Sequence, residues 1–328
     1  MNPDHQLRPV TTFEPPAVPL PPVRRNLILF ALTVVSVFYV GAVYSIPDDP
    51  RSFVEQILDF QFLIRGAPFA VPLLAILVTH EFGHFFAARF HRVPASFPYF
   101  IPFPLPPFGT MGAVIAMRGA IRSRNALLDI GASGPLAGLV VAIPALIWGL
   151  ANSQVNPHGV SGYTQEGQSL LYWFLKRVVV GPIPEGYDVW LHPTAFAGWA
   201  GLFLTMINLM PWGQLDGGHI AYALIGERHH RFADWFHRGL LGLFAVNLAH
   251  FVLPVLLKRS DLELGMAIGN STFWLVWFVV LMVIGTLSGG SRHPPYEPGE
   301  LSPLRKVVGW FSLLLFLLLF MLTPFASY

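Results

Sequence analysis

The sequence predicts an all-α polytopic membrane protein with about seven transmembrane helices and a re-entrant β-hairpin loop. First, 54% of the 328 residues are hydrophobic and 12% are charged, whereas an average soluble domain has about 25% charged residues. Second, several apolar segments reach the length of roughly 20 residues that a helix needs to cross a bilayer. Third, one strongly apolar segment contains too many prolines to form a helix.

Seven segments have the length and composition of transmembrane helices. They cover residues 26–46, 68–90, 126–150, 195–222, 236–257, 272–289 and 307–325. Residues 1–25 are polar and rich in proline, which predicts a flexible cytoplasmic tail rather than a cleavable signal peptide. Segment 170–180 is apolar but short and contains two basic residues, so we predict an interfacial helix there.

The proline-rich segment is 94–119, and its prolines alternate with large apolar side chains. Non-helical backbone at membrane depth survives only where it is buried in protein or lines a wet cavity. We therefore predict a re-entrant loop beside the second span, with a β-hairpin whose strand covers Ala113–Met117. The alternative is a surface loop that rests on the lipid headgroups.

The distribution of basic residues predicts the orientation of the helices. With the N-terminus in the cytoplasm, 14 of the 20 Lys and Arg residues fall in cytoplasmic segments, as the positive-inside rule expects. We therefore predict a multi-pass integral membrane protein with a cytoplasmic N-terminus. The excess of Arg over Lys and the absence of a transit-like start favour a bacterial inner (cell) membrane.

Residues 80–84 form the most informative motif, His-Glu-Phe-Gly-His, inside the second predicted span. On a helix of about 3.6 residues per turn, His80 and His84 share one face and can bind one metal ion. Glu81 lies between them, near enough to act on metal-bound water. Ionisable groups in hydrocarbon are costly and usually mark function. The simpler alternative is a helix that packs two hydrogen-bonded histidines.

A catalytic zinc ion usually has three protein ligands and one open position, so the motif needs a third ligand. The chain contains no cysteine, which leaves only nitrogen and oxygen ligands. Asp129 opens the third span beside two arginines, which suits a helix start at the membrane interface. Asp216 lies late in the fourth span, which runs inward like the second, and nearby Pro and Gly residues would loosen a helix that lines a cavity. Asp216 is therefore the candidate third ligand, and the simpler alternative is a proline-kinked span with one buried carboxylate.

These motifs resemble those of the site-2 protease family of intramembrane zinc metalloproteases. The family pattern combines HExxH in one span with NxxPxxxxDG in a later span, and this chain has HEFGH at 80–84 and NLMPWGQLDG at 208–217. Residues 131–138, GASGPLAG, are similar to the glycine-rich motif of the intervening span, although such a stretch alone is also typical of ordinary helix packing. The resemblance covers roughly residues 68–225.

The resemblance implies a role for each residue of the motifs. One Zn²⁺ per chain would be bound by His80, His84 and Asp216. Glu81 would be the catalytic carboxylate, and Asn208 would help to hold the substrate carbonyl or the tetrahedral intermediate. His219, one turn after Asp216, is either a group that supports the ligands or a packing residue.

The implied activity is that of a zinc metalloendopeptidase of the site-2 type. It would hydrolyse peptide bonds in or near transmembrane segments of membrane-tethered substrates, with its active site toward the cytoplasmic side. The expected partners are a membrane-protein or membrane-peptide substrate and the lipid bilayer, and no basic stripe indicates a nucleic acid. The hairpin strand would pair with an unwound substrate, and Thr79, Asn208 and Gln214 would line a polar path to the site.

We divide the chain into four regions on this basis. They are a flexible tail (1–25), a first span with an outer loop (26–66), a catalytic membrane core (67–225) and three C-terminal spans (226–328).

Two other classes of function remain open from the residues alone. A metal-ion transporter could place His and Asp along an ion path, and a catalytically silent zinc-binding membrane protein could keep the same scaffold. No internal repeat is evident, and an ion path would not need Glu81 between two ligands. Substitution Glu81→Gln separates the classes, because a protease would keep zinc and lose cleavage whereas a transporter would change metal flux.

Overall fold

The computed structural model describes residues 23–46, 49–117, 121, 123–157, 162–287 and 299–328. Most of these residues are helical, as the fold class predicts. The helices are α1 Val23–Ser45, α2 Phe53–Leu58, α3 Phe60–Ile64, α4 Ala67–Phe90, α5 Arg124–Ala151, α6 Leu170–Val179, α7 Pro193–Asn208, α8 Asp216–Ile225, α9 Arg228–Leu256, α10 Leu264–Ser271, α11 Phe273–Leu287 and α12 Pro303–Leu319. The predicted tail lies outside the described residues except for its last three positions, which begin α1.

Short strands form three two-stranded antiparallel sheets among the described residues. The strands are β1 Tyr99–Pro102, β2 Thr110–Val114, β3 Gln154–Pro157, β4 Thr164–Glu166, β5 Tyr187–Trp190 and β6 Phe325–Ser327. The pairs are β1 with β2, β3 with β5, and β4 with β6.

Four helices in the described part of the chain are long and apolar enough to cross a membrane, namely α1, α4, α5 and α9. The number rises to five if α10 and α11, which meet at a bend of 43°, count as one broken span. The protein is therefore a membrane protein, and the count of seven spans stays a prediction. α7 and α12 lie at predicted spans but have only 16 and 17 residues.

The predicted fourth span, 195–222, is not one helix. α7 ends at Asn208, and α8 begins at Asp216 after a turn-rich segment of seven residues. The predicted seventh span, 307–325, is wrong at its end, because α12 stops at Leu319 and Phe325 belongs to β6. β6 pairs with β4, so backbone hydrogen bonds in a sheet replace those of a longer helix.

The core lies between α4, α5 and α7, which pack against one another along much of their lengths. Leu73 on α4, Ala142 on α5 and Leu202 on α7 are all fully buried. This packing places the second and third predicted spans side by side and brings the end of α7 against the middle of α4.

The predicted hairpin is present, with its second strand beginning three residues earlier than the expected range 113–117. α1 fixes it in place, because Asn26 Nδ2 donates to the Phe97 carbonyl at 2.7 Å and Ser36 Oγ donates to the Gly109 carbonyl at 2.5 Å. Both of these donors are buried. The loop is therefore attached to the first helix rather than lying free.

α6 forms a helix where the sequence predicted an interfacial helix at 170–180, and its place at the membrane interface stays a prediction. Trp173 and Phe174 are exposed on one face, whereas Tyr172 and Lys176 are buried on the other. The exposed aromatic face suits the headgroup region of a bilayer. The buried face attaches the helix to the rest of the protein.

Candidate metal centre

Three side chains predicted as metal ligands converge in the structure. His80 and His84 come from α4, and Asp216 is the first residue of α8. The Nε2 atoms of the two histidines are 3.1 Å apart. Asp216 Oδ2 lies 3.4 Å from His80 Nε2 and 3.2 Å from His84 Nε2. In the described residues these three form a group whose ligand atoms could hold one metal ion.

The spacing of these three atoms fits a tetrahedral ion. Zinc binds imidazole nitrogen and carboxylate oxygen at about 2.0–2.2 Å, so two ligands on one tetrahedral ion are roughly 3.3 Å apart. All three measured separations lie within 0.2 Å of that length. Two imidazoles and one carboxylate are also the donor set of many catalytic zinc sites, which keep a fourth position open.

The hydrogen bond of His84 sets the chemistry of its ring. His84 Nδ1 lies 2.7 Å from the Ile130 carbonyl oxygen, which can only accept, so Nδ1 carries the hydrogen. In the neutral ring Nε2 then bears the lone pair that faces the ligand group. A backbone carbonyl on α5 therefore orients one candidate metal ligand on α4, as second partners of metal-binding histidines commonly do.

The glycine-rich stretch 131–138 explains how α5 comes so close to the ligands. An added Cβ at Gly134 would lie 2.0 Å from His84 Nε2, and one at Gly138 would lie 3.3 Å from His80 Nδ1. An added Cβ at Gly131 would lie 3.0 Å from His219 Cβ on α8. Three glycines on one helical face thus oppose three histidines. The motif does more than promote general helix packing, and its 3- and 4-residue spacing was the signal for this role.

The turn before α8 presents Asp216 to the histidines. Gly213 has a φ of +54°, a conformation that L side chains rarely adopt. Gly217 lies so close to the preceding chain that an added Cβ would be 1.9 Å from the Leu209 carbonyl oxygen. The segment therefore folds back on itself, and Asp216 faces α4 at the start of a new helix rather than within a continuous one.

Glu81 and Asn208 lie beside the three candidate ligands. Glu81 is buried, and it lines a cavity of about 1220 Å³ together with His80 and Asn208. Asn208 Nδ2 is 3.1 Å from His80 Nε2. A carboxylate and an amide thus face the same space as the ligand atoms.

The cavity is mostly apolar and extends away from the ligands along β2. Its lining continues through Phe108 and Phe203 to a polar cluster on β4 and β5. There Lys176 Nζ lies 3.2 Å from both Glu166 Oε1 and Asp188 Oδ1.

Tyr172 belongs to the same polar cluster. Its hydroxyl donates to Glu166 Oε1 at 2.7 Å. Burial raises the pKa of the Tyr172 phenol well above its usual value, so the donor stays protonated.

Other residues singled out from the sequence are placed differently. Of the three expected to line the polar path, only Asn208 lines the cavity. The Thr79 hydroxyl bonds to the Ala75 carbonyl in its own helix, and Gln214 is exposed. Asp129, predicted at a helix start beside two arginines, forms an ion pair with Arg305 from α12. That partner is 176 residues away, and no local pattern indicates it.

The fold and site define a membrane protein with a candidate metal centre built between its helices. The model of Peptidase family M50 matches residues 68–246, and the chain belongs to that family. The matched range contains the motifs at 80–84 and 208–217. This confirms the resemblance to the site-2 protease family.

Several curated plant proteins are similar to this chain. It is 33% identical over 222 residues to the probable zinc metalloprotease EGY1, chloroplastic, of Oryza sativa subsp. japonica, covering 62% of the chain and 38% of that protein. It is 31% identical over 219 residues to EGY1 of Arabidopsis thaliana, covering 61% and 39%. The chain thus spans under two fifths of the length of these relatives. The comparison with solved structures gave no significant match.

Proposed function

We propose that this protein is an intramembrane zinc metalloprotease that hydrolyses peptide bonds in or near the transmembrane segments of membrane-tethered substrates. The convergence of His80, His84 and Asp216 at tetrahedral spacing carries the proposal. Membership of Peptidase family M50 and the names of the plant relatives, which are probable zinc metalloproteases, support it. None of these findings favours the metal-ion transporter or the silent zinc-binding protein.

Glu81 has the position of a general base. A zinc ion held by His80, His84 and Asp216 would lower the pKa of its water toward about 7 and polarise the substrate carbonyl. The Glu81 carboxylate would take the proton released as water attacks and later deliver it to the leaving amine. Because Glu81 is buried, it would exchange that proton with the reacting groups rather than with bulk water.

Asn208 has the position of a group that stabilises developing charge. Its amide lies at the end of α7, beside His80 and at the edge of the cavity. An N–H donor fixed at this point would stabilise negative charge on the carbonyl oxygen during attack.

The cavity would hold the substrate in an extended form, with β2 as its template. One edge of β2 pairs with β1, and no strand in the described residues pairs with its other edge. β2 lines the cavity from Thr110 to Val114. A substrate unwound beside this free edge could add to it by backbone hydrogen bonds, which would leave its carbonyls open to attack by the water that Glu81 activates.

The arrangement in the membrane is part of the proposal. Seven spans, a hairpin that re-enters the bilayer, a cytoplasmic N-terminus and the division into four regions are the arrangement we propose. The relatives are named chloroplastic proteins of plants, so they do not support a bacterial inner membrane. That location remains a prediction from the Arg-rich composition.

Substitution Glu81→Gln tests the proposed function. Purified wild-type protein should contain one zinc per chain and cleave co-reconstituted single-span substrates. Glu81→Gln should retain zinc and lose cleavage by about 10²–10⁴-fold, the usual contribution of a general acid or base. Zinc content measured by elemental analysis and cleavage measured on the same samples separate binding from chemistry.

Glu263→Gln is the matched control, because Glu263 is exposed at the start of α10 and its side chain makes no capping hydrogen bond. It should match the wild type in both measurements. Full cleavage by Glu81→Gln would refute the proposed role of Glu81. Metal flux through reconstituted vesicles without cleavage would instead indicate a transporter.

A further inference from the structure

Asp129, Arg305 and His91 form a charged cluster that joins three separate helices at one end of the core. Arg305 in the first turn of α12 binds Asp129 on α5 through two nitrogens, with Nε 2.9 Å from Oδ1 and Nη2 2.7 Å from Oδ2. Asp129 Oδ2 is also 2.7 Å from Nε2 of His91, the residue that directly follows α4. The Asp129 and Arg305 side chains are 26% and 30% exposed, so solvent screens this pair only in part.

The cluster is linked to the candidate ligand His84 through neighbouring residues of α4 and α5. His91 follows His84 by seven residues, which is two helical turns, so both lie on the face of α4 that meets α5. Asp129 precedes Ile130, whose carbonyl accepts the hydrogen bond of His84 Nδ1. Two adjacent residues of α5 therefore contact His84 on α4 and His91, the residue just after α4, and one of these contacts orients a candidate metal ligand.

α12 also touches the helix that carries Asp216. An added Cβ at Gly309 would lie 2.9 Å from Leu128 Cδ1 on α5 and 3.0 Å from Leu224 Cδ2 on α8. One turn of α12 after Arg305 thus contacts both α5 and α8. α12 lies beyond the range 68–246 that the family model matches.

We infer that Arg305 is a positioning residue for the metal centre, which it acts on through Asp129 rather than by contact. Its planar guanidinium fixes the Asp129 carboxylate against His91. This fixes the register of α5 on α4 and hence the place of the Ile130 carbonyl that orients His84. The inference rests on the proposed function, because it concerns the same metal centre. It gives the last helix a role in the site, although none of the three ligands lies on it.

Zinc affinity measured by competition with a chelator tests this inference without reference to catalysis. Arg305→Ala should weaken zinc binding by about tenfold, the lower end of the effect of losing outer contacts in metal sites. Arg305→Lys keeps the positive charge but cannot bind Asp129 through two nitrogens. Its zinc affinity should therefore lie between that of the wild type and that of Arg305→Ala. Lys306→Ala is the matched control, because Lys306 is the exposed basic neighbour in the sequence, and its affinity should equal that of the wild type.

A double-mutant cycle with Asp129→Asn makes the test specific. If Arg305 acts only through Asp129, the double variant should bind zinc as tightly as whichever of Arg305→Ala and Asp129→Asn has the lower zinc affinity. Equal affinity of Arg305→Ala and wild type, or fully additive losses in the double variant, would overturn the inference. If Arg305→Ala cannot be purified folded, Arg305→Lys decides, and wild-type affinity there would overturn it too. A wild-type protein that binds no zinc would refute the proposed function itself, which is a distinguishable result.

Discussion

The two parts of the chain that supply the candidate ligands are built in opposite ways. His80 and His84 lie on α4, an unbroken helix of 24 residues. Asp216 lies where a predicted span is interrupted, between α7 and α8. In the first case the helical repeat alone aligns two ligands on one face. In the second case a tight turn has to form before the ligand can face the others.

The contrast shows which kind of substitution should disturb each part. The helical part depends on what packs against it, because its own geometry is already suitable, and α5 provides that surface through Gly134 and Gly138. The interrupted part depends on its own backbone, because Gly217 must approach the Leu209 carbonyl. Substitutions that add a single methyl group can therefore test each part separately.

The largest effect is expected at Gly134 on the helical side. In Gly134→Ala the new Cβ would lie 2.0 Å from His84 Nε2, so the ring or α5 must move and the ligand atom is displaced. Zinc affinity should fall by at least about 100-fold, with cleavage reduced to background. Gly138→Ala is the matched control, since its Cβ would be 3.3 Å from His80 Nδ1. Its zinc affinity should fall only a few-fold. Similar affinities for the two variants would contradict this account of the glycine face.

A smaller loss, confined to catalysis, is expected at Asn208 at the end of α7. Asn208→Ala should lower kcat by about 10²–10³-fold, as for removal of one donor to a developing oxyanion. Zinc content should stay at the wild-type level because Asn208 is not one of the three ligands. Loss of zinc together with activity would show that Asn208 supports the metal centre instead.

On the interrupted side, Gly217→Ala should displace Asp216 while leaving the two histidines in place. The added Cβ meets backbone at 1.9 Å, which a side-chain rotation cannot relieve. We expect a loss of about 10–100-fold in zinc affinity, measured by chelator competition. Gly239→Ala on α9, where nothing lies within 4 Å of the added Cβ, should leave the affinity unchanged. Wild-type affinity in Gly217→Ala would mean that the turn does not set the position of Asp216.

The smallest effect is expected at Ser133 on α5, which shares a hydrogen-bond acceptor with His84. Its hydroxyl donates to the Ile130 carbonyl at 2.9 Å, beside the His84 hydrogen bond. Ser133→Ala removes one hydrogen bond worth roughly 1 kcal/mol, so zinc affinity should change by no more than about fivefold. Ser312→Ala, which removes a similar bond to Val308 within α12, should not change it. A loss of 100-fold at Ser133 would show that the Ile130 carbonyl needs both donors.

Much of the site was predictable from residues that are close in sequence. His80, Glu81 and His84 needed only the helical repeat and their apolar surroundings. Asp216 is far from the histidines in the sequence, but it could be predicted from its depth in the membrane. Few acidic residues lie at the same depth as His80 and His84. The interruption of the span was less evident, although Pro211 and the nearby glycines indicated a loosened helix.

Contacts between distant segments were not predictable. The prediction placed Asp129 at a helix start beside neighbouring arginines, but in the structure Arg305 holds it from 176 residues away. The end of the seventh predicted span was assigned to a helix, whereas residues Phe325–Ser327 pair with β4. The backbone of a short apolar stretch such as the end of this predicted span can form its hydrogen bonds equally well in a helix or in a sheet. Only the presence of a partner strand decides between them.

The sequence by itself determined that this is a helical membrane protein and which side chains could bind a metal, because hydrophobicity and helical periodicity act over a few turns. Only the tertiary structure decided that α5 approaches α4 closely enough for a carbonyl to orient His84. The tertiary structure was also needed to show that α8 begins at Asp216 and that α12 packs against the core. Those features depend on close contacts between segments far apart in the chain, and the energy of such contacts is set by complementary shape and charge rather than by any local repeat.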